Sequence, residues 1–411
     1  HHRPLVVREM EVRVLAHAGP RTSDAGTDPA RLTGMAEGRA LTEGELARGE
    51  RRLGALPAAS SARLGYRPLL GGDAGIEGTV VLGATNPFTL PAVAAHALRA
   101  LTGRIHVVSS DVLGRLERWE LSATVEGTIH YVSLALAHPA PTGPGVWRWT
   151  VAHGTGRYVA AGGDPVVREE RTSVAWSHAD WITGWLRGST HARIDARPGR
   201  GTFAGAGIGG TLLSLTGRSS LQAEGTGWTR VGGAVGGDGS PEGATRFGRL
   251  ALRAALNPAI PPGVSAPSGV ALEGGLMAVS SGAPHDLFPR IGAGGNTSVL
   301  MRARSDLDGE GVVRPLSPGR AWAHASVEVL RAVGSVGPVG MGVAAFADGV
   351  RVLARAPGAT DPAARRGAIH LGVGVRARIP GIAGWLRADW GIDPVDGASR
   401  LSAAWAPGGA S

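Results

Sequence analysis

The 411-residue chain has no cysteine, which excludes disulfide staples, cysteine-ligated zinc, iron–sulfur clusters and a thiol nucleophile. It has no lysine either, so all 42 basic residues are arginine, against 33 acids and for a formal charge of +9. An arginine-only basic set is what GC-rich coding produces, and the charge is discounted as a functional clue. Charged residues make up 18%, below the roughly 25% of an average soluble domain. Tyrosine (3) and phenylalanine (5) are scarce, while glycine (66), proline (27) and tryptophan (11) are not. No stretch approaches the ~18 uninterrupted apolar residues of a membrane helix. The start, His1-His2-Arg3-Pro4, carries neither an initiator methionine nor a signal-like segment, and reads as a fragment or mature form.

Composition changes near residue 90, which divides the chain into a small domain at 1–88 and a larger one at 89–411. The first part reads as mixed α/β. Leu5–Leu15 is strand-like and 19–29 is loop. Thr42-x-x-Glu45 is a capping box opening a helix with Leu46, Leu53 and Leu56 on one face, ended by Pro57. Two strands follow, 62–69 and 75–82, around Gly71-Gly72-Asp73.

From about residue 100, segments of 9–14 residues alternate apolar with polar or glycine. Leu186, Gly188, Thr190, Ala192 and Ile194 share one parity, against Arg187, Ser189, His191, Arg193 and Asp195. The segments 371–379 and 385–392 repeat the pattern. Two-faced strands of this kind build either a soluble sandwich or a membrane barrel. Length favours the barrel, since crossing a bilayer takes about 9–11 tilted residues whereas soluble strands average 5–6. Trp119, Trp147, Trp149, Trp176, Trp181, Trp185, Trp322, Trp385, Trp390 and Trp405 lie in or near strand ends, where interfacial girdles sit. The segmentation predicts 14 to 16 strands, with 297–304 counted as one of sixteen. The longest break, about 282–320, holds Pro284, Pro289, Pro315 and Pro318; long loops in compact proteins tend to be functional or disordered.

Catalytic motifs are weak. Gly205-Ala206-Gly207-Ile208-Gly209-Gly210 fits G-x-G-x-x-G but lies in an alternating strand with no helix after it. Thirteen histidines show no H-E-x-x-H spacing, and Ser177, His178 and Asp180 alternate in facing. The sequence therefore predicts no catalytic residue, cofactor or metal, and no nucleic-acid partner.

The barrel half resembles the bacterial surface-antigen barrel of the BamA/TamA outer-membrane assembly and translocation family. Val343-Ala344-Ala345-Phe346-Ala347-Asp348-Gly349 resembles that family's F-x-D strand, and Ala325-Ser326-Val327-Glu328-Val329 the preceding strand with its acid. Gly372-Val373-Gly374-Val375-Arg376 and Leu386-Arg387-Ala388-Asp389-Trp390-Gly391 resemble its last strands. The segment in front resembles one POTRA domain through Gly19-Pro20-Arg21-Thr22, Leu32-Thr33-Gly34-Met35 and Leu53-Gly54-Ala55-Leu56-Pro57. The family's V-R-G-F/Y loop tip corresponds to Met301-Arg302-Ala303-Arg304, where arginine is kept, glycine has become alanine and the aromatic arginine.

The resemblance implies a mostly β fold: a transmembrane antiparallel barrel of about 16 strands behind a small α/β POTRA domain. It implies a pair between Arg302 and Asp348, with Phe346 and Glu328 on the same wall. Leu401 and Trp405 would lie on the closing strand, although the tail 406–411 departs from a terminal aromatic. It implies no enzyme activity but the insertion or assembly of outer-membrane proteins, or polypeptide translocation. Expected partners are outer-membrane lipid and unfolded outer-membrane or exported polypeptide clients, with room for periplasmic accessory proteins. The expected place is the bacterial outer membrane with the POTRA domain in the periplasm. The alternatives are a passive channel and the barrel half of a patatin-like lipase fusion.

Overall fold

The computed structural model describes residues 5–406 apart from 17–18, 22–27, 84–92, 94–95, 98–99, 101–102, 160–165, 215–217, 233–244, 257–268, 281, 294–298, 315–318, 356–366 and 379–384. The first unit runs β1 (Val6–Ala16), β2 (Gly19–Arg21), α1 (Pro29–Thr33), α2 (Glu43–Gly54), β3 (Ala59–Pro68) and β4 (Asp73–Leu82). Its sheet order is β2-β1-β4-β3, with β1 parallel to β4 and the other pairs antiparallel. The capping box forms: Glu45 N–H donates to Thr42 Oγ1 at 3.1 Å, and Thr42 N–H to the Glu45 carboxylate at 3.3 Å. Leu53 and Leu56 are buried with Val7, Val14, Ile76 and Val80, and Leu46 packs beside them. The one addition to the expected order is β2, three residues in the segment read as loop. It is held by backbone pairing to Val14–Ala16 and has no alternation of its own. The boundary at 88/89 lies outside the described residues.

The second unit is a transmembrane-type barrel. Its first ten strands are β5 (Arg104–Ser110), β6 (Arg118–Glu126), β7 (Ile129–Pro139), β8 (Val146–Val159), β9 (Val166–Trp181), β10 (Leu186–Arg197), β11 (Gly201–Leu213), β12 (Ser219–Gly232), β13 (Arg246–Leu256) and β14 (Gly269–Val279). A long loop carrying the two-residue β15 (Ile291–Gly292) and β16 (Val299–Leu300) follows. Then come β17 (Gly319–Val336), β18 (Val339–Arg355), β19 (Gly367–Arg378), β20 (Trp385–Ile392) and β21 (Ser399–Ala406). Each strand of the large sheet pairs antiparallel with its neighbours in chain order, β14 pairing directly with β17.

Alternation sets inside from outside. Leu134, Val151, Ile194, Ile208, Val373 and Trp390 face outward and are exposed, while Asp195, Arg197, Asp348 and Asp389 on the other parity are buried in the lumen. Trp147, Trp149 and Trp176 cluster at one rim with ring centroids 5.6–6.5 Å apart, a girdle position. Trp322, expected with them, is instead buried inside the lumen at 1% exposure. Its parity places it on the inner wall, against the loop.

The sheet holds fifteen strands among the described residues, an odd number where bacterial barrels are even. Of the segment 297–304, counted as a strand, the described residues 299–304 belong to the loop. Its Val299, Met301, Arg302 and Ala303 are all buried, so no alternating face exists to set against lipid. With fifteen antiparallel strands, β5 and β21 run in the same direction. No ladder joins them among the described residues, yet Arg104 of β5 lies within electrostatic reach of Arg387 on β20.

The small domain sits at one end. Leu116, from the β5–β6 turn, packs into its core. The Arg52 guanidinium forks onto Asp180 at the end of β9, at 2.8 and 2.6 Å. Arg31 donates to the Ala140 carbonyl, and Arg51 lies over the Trp181 ring.

The glycine motif at 205–210 also finds its role here. On the inner face of β11, Gly205 and Gly207 leave room for side chains from β10 and β12 to meet over the strand. His191 reaches Thr226 Oγ1 at 2.7 Å, and Trp228 Nε1 donates to Asp195 at 3.0 Å. A Cβ at residue 207 would collide with the His191 ring and the Gly225 carbonyl oxygen. Gly207→Ala is expected to destabilise the barrel by about 1–3 kcal/mol, the usual cost of overpacking. This is read as a lower temperature at which the folded band is lost in gel heat-modifiability.

Candidate functional site

Residues 280–318 connect β14 to β17 at the end away from the small domain, and the described part of this loop turns into the barrel. Its first limb packs Ala283, Leu287, Ile291, Val299 and Met301 against Phe203, Trp228, Phe247, Met277, Trp322 and Val350 of the wall. The returning limb reaches the opposite wall. Val313 N–H donates to the Arg157 carbonyl at 2.9 Å, and Val159 N–H to the Val313 carbonyl at 3.0 Å, both on β8. Gly311 fits only because Gly127 faces it, since a Cβ on either would strike the other's backbone. Asp308 accepts the Val312 and Glu310 N–H groups and pairs with Arg314, which hold its carboxyl below the usual carboxylate range. The contribution of this turn is therefore present above about pH 4 and lost as pH falls through the lowered value.

Arg302 sits at the tip, 1% exposed. Register explains what it meets. Ser326 of β17 pairs with Asp348 of β18, and Glu328 with Phe346, so these four side chains form one lumen-facing square. The Arg302 Nε and Nη2 each donate to Asp348 at 3.0 Å, a bidentate fork, and its backbone N–H adds a third bond at 3.2 Å. Nη1 donates to Glu328 at 2.5 Å and Nη2 to Ser326 Oγ at 3.3 Å. The guanidinium carbon lies 3.6 Å from the Phe346 ring centroid, a cation–π contact.

The network continues into β19 and β20, beyond the loop tip and wall residues that the resemblance names. Glu328 also accepts from Arg376 of β19 at 3.0 Å, and Arg376 donates to Asp389 of β20 at 2.5 Å. His370, opposite Asp348 across the ladder, accepts the Ala303 N–H on Nδ1 at 3.1 Å. The signal that could have found them was parity: Glu328, Asp348, His370, Arg376 and Asp389 all fall on the inward phase of their strands. Glycines clear the floor beneath. A Cβ at Gly372 would lie 2.5 Å from the Phe346 ring, one at Gly374 would strike Asp389, and one at Gly391 would lie 2.9 Å from Ala303 N. The alanine at 303 is no obstacle, since among the described residues only Asp111 and Leu116 are non-glycine residues with positive φ.

Other expected positions fall elsewhere. Leu401 lies on β21 opposite Trp390, and Trp405 opposite Leu386. The tail 407–411 lies outside the described residues. His153, His178 and His191 contact Thr172, the Pro144 carbonyl and Thr226, one partner apiece in the wall or its turns.

Arg302→Ala would leave the buried Asp348 without its cation, while Glu328 keeps Arg376, at a cost of about 3–5 kcal/mol. The expected result is a loop that becomes cleavable by added protease while the barrel still shows its gel shift. Arg302→Lys, with charge but no fork, is expected to lie between.

No family model matches the chain, and no curated protein matches it by sequence. Solved structures do match. BamA from Haemophilus ducreyi lacking POTRA domains 1–3 aligns at 12% identity and TM-score 0.50, over 98% of this chain and 85% of that one. CdiB from Escherichia coli aligns at 13% and 0.57, over 97% and 75%. CdiB from Acinetobacter baumannii aligns at 12% and 0.58, over 98% and 73%. At such identities the likeness is one of fold: a small α/β domain leading into a barrel of BamA and CdiB architecture.

Proposed function

We propose that this chain is an outer-membrane barrel of the BamA/TamA type that assists insertion or assembly of other outer-membrane proteins, or passes polypeptides across that membrane. The observation that carries this reading is the Arg302 fork, which seats a loop tip on Asp348 and Phe346 inside a barrel of that fold. The small domain is read as a POTRA domain in the periplasm. It sits at the end away from the long connections β12–β13, β14–β17 and β18–β19, and long loops mark the extracellular side of bacterial barrels. Its outer strand β3 has one unpaired edge in the sheet order and is mostly exposed, which suits strand addition by an unfolded client. Outer-membrane lipid meets the apolar wall, and periplasmic accessory proteins would deliver clients. No catalytic step, cofactor or metal enters this reading.

The terminal strands suit a seam. β5 has 7 residues and β21 has 8, against 18 and 17 in β17 and β18. An unpaired edge in lipid is costly, so short edges are the ones that can open. Because β5 and β21 run the same way, one inserted strand can lie antiparallel to both.

The test is reconstitution in liposomes with an unfolded barrel client. Client folding is expected to be faster than in empty liposomes and slowed by Arg302→Ala. A disulfide engineered between β5 and β21, clean in a cysteine-free chain, is expected to stop the acceleration until reductant is added. No acceleration, together with ion conductance that ignores the client, would replace this reading with a passive channel.

A further inference from the structure

The outer wall of the barrel carries most of its arginines at one end. Arg157 of β8, Arg168 of β9, Arg246 of β13 and Arg351 of β18 share strand parity with the exposed Trp149, Val174, Leu250 and Val343. All four therefore face outward, and all four are exposed. They lie at the end away from the small domain. At the small-domain end the same face presents Trp119, Trp147, Trp149 and Trp176, with one arginine, Arg331.

Strand length sets their height. The outward residue that opens the apolar band near the small domain is Trp147 on β8, Leu256 on β13 and Val339 on β18. The arginine of the same strand lies ten, ten and twelve residues away. At ~3.3 Å per residue and a tilt of 35–45°, that separation is about 25–30 Å along the membrane normal. This is the height of a barrel's apolar band, so the arginines stand at the second membrane interface, level with lipid headgroups. Among the described residues, the side chains of Arg157, Arg246 and Arg351 make no hydrogen bond or ion pair. Arg157 also faces Arg168 directly across the β8–β9 ladder, and like charges so placed repel. Arg168 has Glu170 at 3.4 Å, yet 72% of the arginine side chain stays exposed. Glu170 is the one acid on the outward parity of this end of the wall among the described strand residues. Four cations against one acid leave a positive collar.

We infer that this collar binds the phosphate groups of lipid headgroups in the outer leaflet, with Arg157 and Arg168 as its tightest seat. Side chains directly opposite on a ladder are about 5 Å apart at Cβ, so both guanidinium groups reach one phosphate. An anion between them turns their repulsion into a clamp, and the guanidinium fork matches phosphate oxygens. The long stems lie along the apolar wall while the charged heads reach the headgroup layer. This inference rests on the reading of the chain as an outer-membrane barrel with its small domain in the periplasm, and involves no client.

The test uses the full chain folded in a zwitterionic detergent. Diphosphoryl lipid A, the same lipid with both phosphates removed, and sodium phosphate are each titrated. Bound lipid is counted by native mass spectrometry, and the temperature at which the folded gel band is lost is recorded. The diphosphorylated lipid is expected to bind saturably, to raise that temperature and to weaken as salt screens the collar. Arg157→Gln with Arg168→Gln is expected to weaken binding about tenfold. Arg246→Gln with Arg351→Gln is expected to have a smaller effect, and Arg331→Gln none. The side chains are exposed, so each variant keeps the gel shift of a folded barrel. Equal binding of the dephosphorylated lipid, binding unchanged in both double variants, or inorganic phosphate binding as tightly as the lipid would each overturn the assignment. Lipid binding with no client acceleration would sink the assembly reading alone, and client acceleration without lipid selectivity would sink this one alone.

Discussion

A guanidinium buried in a barrel lumen must find carboxylates there, and Arg302 imposes that demand on three consecutive strand pairings. Asp348, Glu328 and Ser326 meet it only while β17 and β18 keep their register. Glu328 then needs Arg376, and Arg376 needs Asp389, so the constraint runs through β19 to β20. A slip of one residue in any of these strands would turn an acid or an arginine toward lipid. The ionic chain therefore specifies alignment as much as it stabilises, which is the best-attested use of buried charge.

The distribution of aromatics follows from the same loop. Four of the five phenylalanines, Phe203, Phe247, Phe288 and Phe346, lie with Trp228 and Trp322 where the loop meets the wall. A long segment folded into a polar lumen would be hydrated and mobile; an apolar patch on the inner face gives it a core. Glycine supplies the complementary half. At Gly205, Gly207, Gly372, Gly374 and Gly391 the missing side chain lets a ring, an ion pair or the loop tip approach the backbone. The high glycine content is thus partly a record of close packing inside the barrel.

The two ends of the molecule are organised differently. At one, Arg52, Arg51 and Arg31 tie the small domain to the rims of β7–β10. At the other, the loop spans the lumen from the β17–β19 wall to β8. The short terminal strands β5 and β21 share a direction, and no ladder joins them among the described residues.

Much of this was legible in the chain itself. Period-two alternation separated lipid face from lumen, because a strand side chain has only two directions to point. The capping box placed α2, since its two hydrogen bonds are local. The resemblance singled out Arg302, Asp348, Phe346 and Glu328 as a loop tip and its wall. Pairings between distant segments were not legible. Alternation cannot say which residue of β17 lies opposite which of β18, nor that 297–304 is loop. It cannot say that Trp322 faces a folded-in segment rather than lipid. Those depend on strand register and on a loop crossing the lumen, and only tertiary packing decides them, because the groups that meet are tens of residues apart and chosen by shape and charge.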